Sequence, residues 1–207
     1  MEAYVEGLER EFSAIERGFR AEESRARADY DSFDSDTAVR VAYLAYDSEV
    51  YQVRMYAVFL LGYLSQDPQV LAFLRDEVSE DSNWRVQEVL AKAVDVSCAV
   101  KGYEEALPVI DEWLSDPRSN VRRAVTEGLR IWTSRPYFRD NPQEAIRRLA
   151  VLRSDASAYV RKSVGNALRD ISKKCPELVA VELGTWNLET KGVSQVYRLA
   201  SKVIERG

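Results

Sequence analysis

Five valines, Val53, Val86, Val121, Val160 and Val193, recur at intervals of 33, 35, 39 and 33 residues. Each opens a similar string. Small or apolar residues follow three, four, seven and eight positions later: Val89, Leu90, Ala93 and Val94 after Val86; Ala124, Val125, Gly128 and Leu129 after Val121; Ser163, Val164, Ala167 and Leu168 after Val160. That spacing places all four on one face of an α-helix. Shorter helices are predicted between them, over residues 68–77, 103–115, 142–152 and 176–185. Three of these start at or beside proline, which suits a first helical turn.

A helix pair that repeats every 33–39 residues, with small residues where neighbours must approach, is the pattern of a stacked helical repeat. The predicted fold is all-α, a right-handed α-solenoid of HEAT-like two-helix repeats with a concave basic surface. The prediction is one domain over residues 1–207, with N-terminal helices in 1–36 and about five repeats in 37–207. A single irregular bundle is the alternative. Before the repeats, Val5, Leu8, Phe12 and Ile15 mark an amphipathic helix over residues 2–17. Gly18 interrupts it, and a charged helix continues over 19–31. The acidic segment 29–36 reads as a turn, with Asp36 as N-cap of a helix over 37–46.

Counted from each valine, positions +2 and +6 lie about 40° apart on the wheel, opposite the packing stripe. They are predicted to line the concave side: Met55 and Phe59, Glu88 and Lys92, Arg123 and Glu127, Lys162 and Asn166, Gln195 and Leu199. Positions +1 and +5 flank them with Arg54, Gln87, Arg122 and Arg161. The formal net charge is −5, but the stretch 118–174 carries 14 Lys/Arg against 5 Asp/Glu. An asymmetry of this kind predicts a localised electropositive surface. The bland alternative is that these arginines pair with acidic neighbours.

The chain has no histidine and two cysteines far apart, Cys98 and Cys175. Ser-His-Asp and Cys-His catalysis are excluded, as is a conventional zinc site. No cofactor or metal is expected, so any chemistry falls to carboxylates, Arg or Lys, aromatics and water. No run approaches a membrane-spanning length, and the first residues lack a signal-peptide pattern. The expectation is a cytoplasmic monomer without a membrane partner.

Three strings in repeat order, Trp84-Arg85-Val86-Gln87-Glu88, the run from Asn120 to Arg130 and the run from Tyr159 to Lys173, resemble the HEAT-like repeat DNA alkylation repair proteins, the AlkC/AlkD-type glycosylases. The resemblance covers roughly residues 37–205. It implies a DNA glycosylase that hydrolyses the N-glycosidic bond of cationic N3- or N7-alkylated purines in double-stranded DNA, without deep base flipping. It puts Trp84 at the family's aromatic position and Glu88 at its catalytic-carboxylate position. Glu127 and Asp170 are further candidate acids. Arg122 and Arg123 match the phosphate-holding arginines, and Arg161, Lys162, Lys92 and Arg85 extend the DNA-binding set. Asn166 stands where AlkD-like members carry a second aromatic, and the acidic segment 28–34 stands where active members carry a recognition helix. Those departures motivate one alternative, a family member that binds bent or branched DNA without turnover; the overall acidity motivates another, an acidic protein-interaction solenoid. Trp113, Trp132 and Trp186 are expected in packing, and Tyr51, Tyr56 and Tyr63 over the N-terminal repeats.

Overall fold

The computed structural model describes residues 1–204. They form thirteen α-helices with no strand among them: α1 Glu2–Phe12, α2 Arg20–Ser32, α3 Ser35–Tyr46, α4 Tyr51–Leu64, α5 Pro68–Asp76, α6 Trp84–Lys101, α7 Leu107–Leu114, α8 Ser119–Gly128, α9 Pro136–Asp140, α10 Pro142–Val151, α11 Ala158–Ser172, α12 Pro176–Gly184 and α13 Lys191–Ala200. The five reference valines fall on α4, α6, α8, α11 and α13, and all five are buried. The chain divides into two compact units, residues 1–101 and 102–207.

In the first unit α4 is the hub, packed by α2, α3 and α6. Nearly every residue of α4 is buried, as a helix apolar all round must be. Gly62 lets α6 close in: a Cβ there would lie 3.0 Å from the Ala93 Cα. Met55 and Phe59, expected on an open face, are instead 1% and 3% exposed. The cover comes from the N-terminal segment. The Phe19 ring sits 5.8 Å from that of Phe59, and Tyr56 donates to the Asp29 carboxylate at 2.6 Å. Asp29 also accepts from Tyr4 and Arg25. Burial first, and then this carboxylate, push the Tyr56 hydroxyl well above its ordinary range.

Several boundaries differ from the prediction. α1 stops at Phe12, because the chain over 13–19 turns to meet α4: the Ile15 carbonyl accepts from Gln52 at 2.7 Å, and Gly18 takes φ +87°. Asp29 belongs to α2, so the acidic turn shrinks to Phe33 and Asp34. The cap of α3 is Asp34, whose Oδ1 accepts the Thr37 N–H at 2.9 Å; Asp36 lies inside the first turn, where its charge suits the helix dipole. Residues 103–106 form turns, and α7 starts only at Leu107, after Gly102 with φ +95°.

One buried group stands outside these networks. Glu22 is fully buried, and neither carboxylate oxygen has a partner. Burial pushes its carboxyl up, with only its own backbone N–H opposing. A raised folded value means that the favourable contribution is complete below the ordinary value of 4.5 and is lost as pH rises through the folded value. Glu22→Met is therefore expected to raise stability by about 1–2 kcal/mol at neutral pH, an advantage that shrinks as pH falls toward the ordinary carboxylate range. Denaturant unfolding at a series of pH values checks both parts.

In the second unit α11 is the hub, packed by α8, α10, α12 and α13. Gly165 brings α13 close: a Cβ would lie 2.7 Å from the Leu199 Cβ and 3.2 Å from the Val196 carbonyl. Trp113, Trp132 and Trp186 are buried packing residues, as expected.

Candidate functional site

The residue just after each reference valine has one structural task. Its side chain reaches back to the carbonyl six residues earlier. Arg54 Nη1 donates to Ser48 O, Gln87 Nε2 to Asp81 O, Arg122 Nη1 to Asp116 O, Arg161 Nη1 to Asp155 O and Ser194 Oγ to Leu188 O, all at 2.6–2.9 Å. Position −5, which supplies that carbonyl, also organises the turn. Ser48, Asp81, Asp116 and Asp155 each accept the N–H two residues on. Two of these aspartates bind the arginine of the repeat before. Arg54 Nε donates to Asp81 at 2.9 Å and Arg122 Nε to Asp155 at 2.6 Å, each pair bidentate.

This clamp corrects the expectation for Arg122 and Arg161. Arg122 spends its guanidinium on Asp155 and on the Asp116 and Pro117 carbonyls. Arg161 holds the Asp155 and Ala156 carbonyls. A wheel shows both as flank cations, but the turn preceding each helix folds back under them. Burial works against the Asp155 charge, yet Arg122 and the Ser157 N–H outweigh it and hold the carboxyl below its usual range.

The basic stretch is also largely neutralised. Arg118, Arg122, Arg130, Arg139, Arg147, Arg148, Arg169 and Lys173 all carry carboxylate partners. Arg123 and Lys162, at +2, have no ion pair among the described residues, and Lys162 is exposed. They are the free cations of the predicted DNA-binding set in the second unit.

The candidate acids separate in the same way. Asp170 is buried and receives Lys173 at 2.6 Å, Arg130 at 3.3 Å and Arg169 at 3.5 Å. Burial opposes its charge, and these cations nonetheless hold its carboxyl below the usual range. Its charge is therefore committed inside the fold. Glu127 has a loose contact with Arg130 at 3.9 Å. Glu88 has no ion pair or hydrogen bond among the described residues; the Nζ of Lys92, four residues on, lies instead 5.6 Å from the Phe19 ring centroid.

Glu88 is mounted on a rigid base in the first unit. Asn83 Oδ1 accepts the Arg85 N–H at 3.0 Å and so caps α6. Beneath it, Asp81 gathers Arg54, the Tyr46 hydroxyl and the Asn83 N–H. Trp84, Glu88 and Lys92 then follow at i, i+4 and i+8, all three exposed. Trp84 is 59% exposed. Arg85 lies over both the Tyr51 and Trp84 rings, 5.3 and 4.7 Å from their centroids. An exposed aromatic and an unpaired carboxylate thus share one stripe, with a cation holding the ring. The sequence reading did not single out the aspartates at −5. Their signal was present, since Asp81, Asp116 and Asp155 each stand five residues before a reference valine.

Among solved structures, the chain is similar to AlkD2 from Streptococcus mutans, with 64% identity and a TM-score of 0.96 over 97% of both chains. It is equally similar in extent to smu.31 from Streptococcus mutans UA159, at 62% identity and a TM-score of 0.92 over 97% of both. The alkylpurine DNA glycosylase AlkC of Pseudomonas fluorescens, in a structure bound to DNA containing an abasic site analog, matches at 25% identity and a TM-score of 0.52, over 90% of this chain and 61% of that one. The uncharacterized YhaZ protein of Bacillus subtilis (strain 168) is 36% identical over 87 residues, 40% of this chain but only 24% of that protein. These likenesses establish the HEAT-like all-helical repeat fold. No helix among the described residues is long and apolar enough to cross a membrane. A family profile described as DNA alkylation repair enzyme matches residues 11–184, most of the chain, and the protein belongs to that family.

Proposed function

We propose that the protein binds duplex DNA and hydrolyses the N-glycosidic bond of cationic N3- or N7-alkylated purines. The observation that carries this reading is Glu88, a carboxylate without a cation partner among the described residues, one helical turn from the exposed Trp84 on a capped helix. A purine alkylated at N3 or N7 already bears positive charge. When its bond to C1′ breaks, the electron pair passes to the ring and quenches that charge, so no general acid is required. Positive charge develops on the sugar instead. Glu88 stabilises it and orients the water whose oxygen bonds to C1′, with its proton passing to the carboxylate or to solvent. The Trp84 face contacts the sugar or the cationic base. Arg123 and Lys162 neutralise phosphates without reading sequence.

Duplex DNA carrying 7-methylguanine, with free base measured by chromatography, tests the reaction. Absence of release above the uncatalysed rate, with an active glycosylase alongside, overturns it. A second reading, DNA binding without turnover, is favoured by the exposure of Glu88, because charge stabilisation is weak in a water-like dielectric. Binding that persists in the absence of release selects that reading. On either reading Arg123→Ala should lower the slope of log K against log salt by about 1 while leaving thermal stability unchanged. Fluorescence anisotropy across a salt series measures it.

A further inference from the structure

Two adjacent helices of the first unit, α2 and α4, end without the cation that suits the negative end of a helix dipole. The hub of the second unit, α11, carries Arg169 there. Both of the uncompensated ends open on one pocket of about 550 Å³. Tyr30 and Asp31 reach it from the last turn of α2, Tyr63 and Leu64 from that of α4, and Val100 from that of α6. α6 ends in Lys101, which is exposed and takes no part in the lining. Three helix C-terminal ends therefore converge on the pocket. The N-terminal ends of α3 and α5 border it too, but an aspartate caps each: Asp34 accepts the Thr37 N–H and Asp67 the Gln69 N–H.

The wall has the same bias. The Tyr30 and Tyr63 rings stack, with centroids 5.0 Å apart and planes 24° apart. Phe33 adds a third ring, met edge-on by Tyr4 at 5.5 Å. Asp31 and Asp67 supply two exposed carboxylates, and no Lys or Arg lines the pocket among the described residues. The ring pair already takes a cation from the chain itself. The Arg27 guanidinium carbon lies 5.7 Å from the Tyr30 centroid and 5.1 Å from that of Tyr63. Arg27 also pairs with Asp31 at 2.9 Å, but both side chains are more than half exposed, so this pair is weak and exchangeable. Asp67 spends one oxygen on its cap, and the other has no partner among the described residues. Ring faces, carboxylates and helix ends all favour positive charge, and the half-exposed Val100 offers an apolar surface to the body that carries it.

We infer that this pocket binds an aliphatic ammonium group, carried by a free polyamine or by a lysine side chain of a partner protein. The ammonium rests against Tyr30 and Tyr63, Asp31 and Asp67 meet its charge, and its alkyl chain runs along Val100. Val100 stands sixteen residues beyond Trp84 on α6, about 24 Å along the helix. The site is thus separate from the carboxylate proposed for base release. Glu88→Gln should leave it untouched, so failure of one reading does not decide the other.

The test uses the full chain at low salt and near-neutral pH, with calorimetry of spermidine and of the capped peptide acetyl-Gly-Lys-Gly-amide. At least one should bind with a Kd below about 1 mM and weaken as salt rises. Spermidine alone assigns a free-amine site; binding of the peptide assigns a lysine of a partner. Asp31→Asn combined with Asp67→Asn should weaken the bound probe roughly tenfold or more. Asparagine keeps a capping oxygen at 67, and the lost ion pair is exposed, so the melting temperature should stay within about 2 °C. Glu49→Gln combined with Glu80→Gln changes the net charge equally. Glu49 precedes α4 and Glu80 follows α5, at the far ends of the helices whose near ends border the pocket. This control should bind as the parent does. Tyr63→Leu keeps an apolar side chain but removes the ring face, and should weaken the probe about threefold or more. The inference is overturned if neither probe binds, if the Asp31/Asp67 variant binds as tightly as the parent, or if the Glu49/Glu80 control loses as much.

Discussion

Glu88→Gln is expected to lower release of 7-methylguanine by about 10²–10³-fold while leaving DNA affinity and stability where they were. The side chain is exposed and makes no ion pair among the described residues, so the fold described does not depend on its charge. Stability should therefore stay within about 0.5 kcal/mol of the parent. Glutamine keeps the shape but cannot stabilise a developing cation through a full negative charge, and it cannot take up the proton of the attacking water. The loss should appear in the single-turnover rate and not in binding. Two controls sharpen the assignment. Asp170→Asn removes a carboxylate that three cations already hold, so it should cost stability without a selective loss of rate. Trp84→Ala removes an exposed ring that the core does not need, so any effect of it belongs to the substrate. Equal rates for Glu88→Gln and the parent would rule out Glu88 as the reacting carboxylate.

Much of the fold could be read from the chain because a HEAT-like repeat writes its packing stripe at fixed intervals. The five valines and their followers located α4, α6, α8, α11 and α13, and the prolines located the starts of α5, α10 and α12. What the wheel could not give was the depth of each flank. Met55 and Phe59 occupy positions that carry polar residues in the next three repeats, and that contrast was itself a sign that α4 is covered. The cover, Phe19 and α2, lies in a segment with no repeat register to place it. Arg122 stands at the flanking +1 position, but its partner Asp155 is 33 residues away, and no local pattern distinguishes a clamp from a phosphate contact. Charge counting failed for the same reason. The excess of arginine over residues 118–174 is real, but many of these side chains meet carboxylates from Asp111 to Asp170 within the unit. Within the stretch, Arg123, Arg153, Arg161, Lys162 and Lys174 have no ion pair among the described residues, so the cations left over are fewer than the excess suggested.

The difference between neighbours Arg122 and Arg123 gives the largest expected stability effect. The Arg122 and Asp155 side chains are 13% and 4% exposed and are joined at 2.6 and 2.9 Å. Removing one partner leaves the other charge buried with its desolvation uncompensated, at a cost of about 3–5 kcal/mol. Asp155→Ala should fall at the upper end, since it also removes the acceptor of the Ser157 N–H. For a chain of this length that corresponds to roughly 6–20 °C in melting temperature. Arg123→Ala, one residue on and without an ion pair among the described residues, should change the melting temperature by no more than about 2 °C. The pH dependence follows from the direction of the Asp155 shift. Its carboxyl is held below the ordinary value of 3.8, so the contribution is present above that value and is lost as pH falls through the folded one. The gap between parent and Asp155→Asn should therefore be constant from neutral pH down to about pH 5 and narrow below pH 4. Replacing both partners by apolar residues, Arg122→Met with Asp155→Leu, should recover a large share of the loss, because no charge is then left buried. A double variant as unstable as the worse single one would mean that the carbonyl clamp of Arg122, and not its ion pair, holds the repeats together.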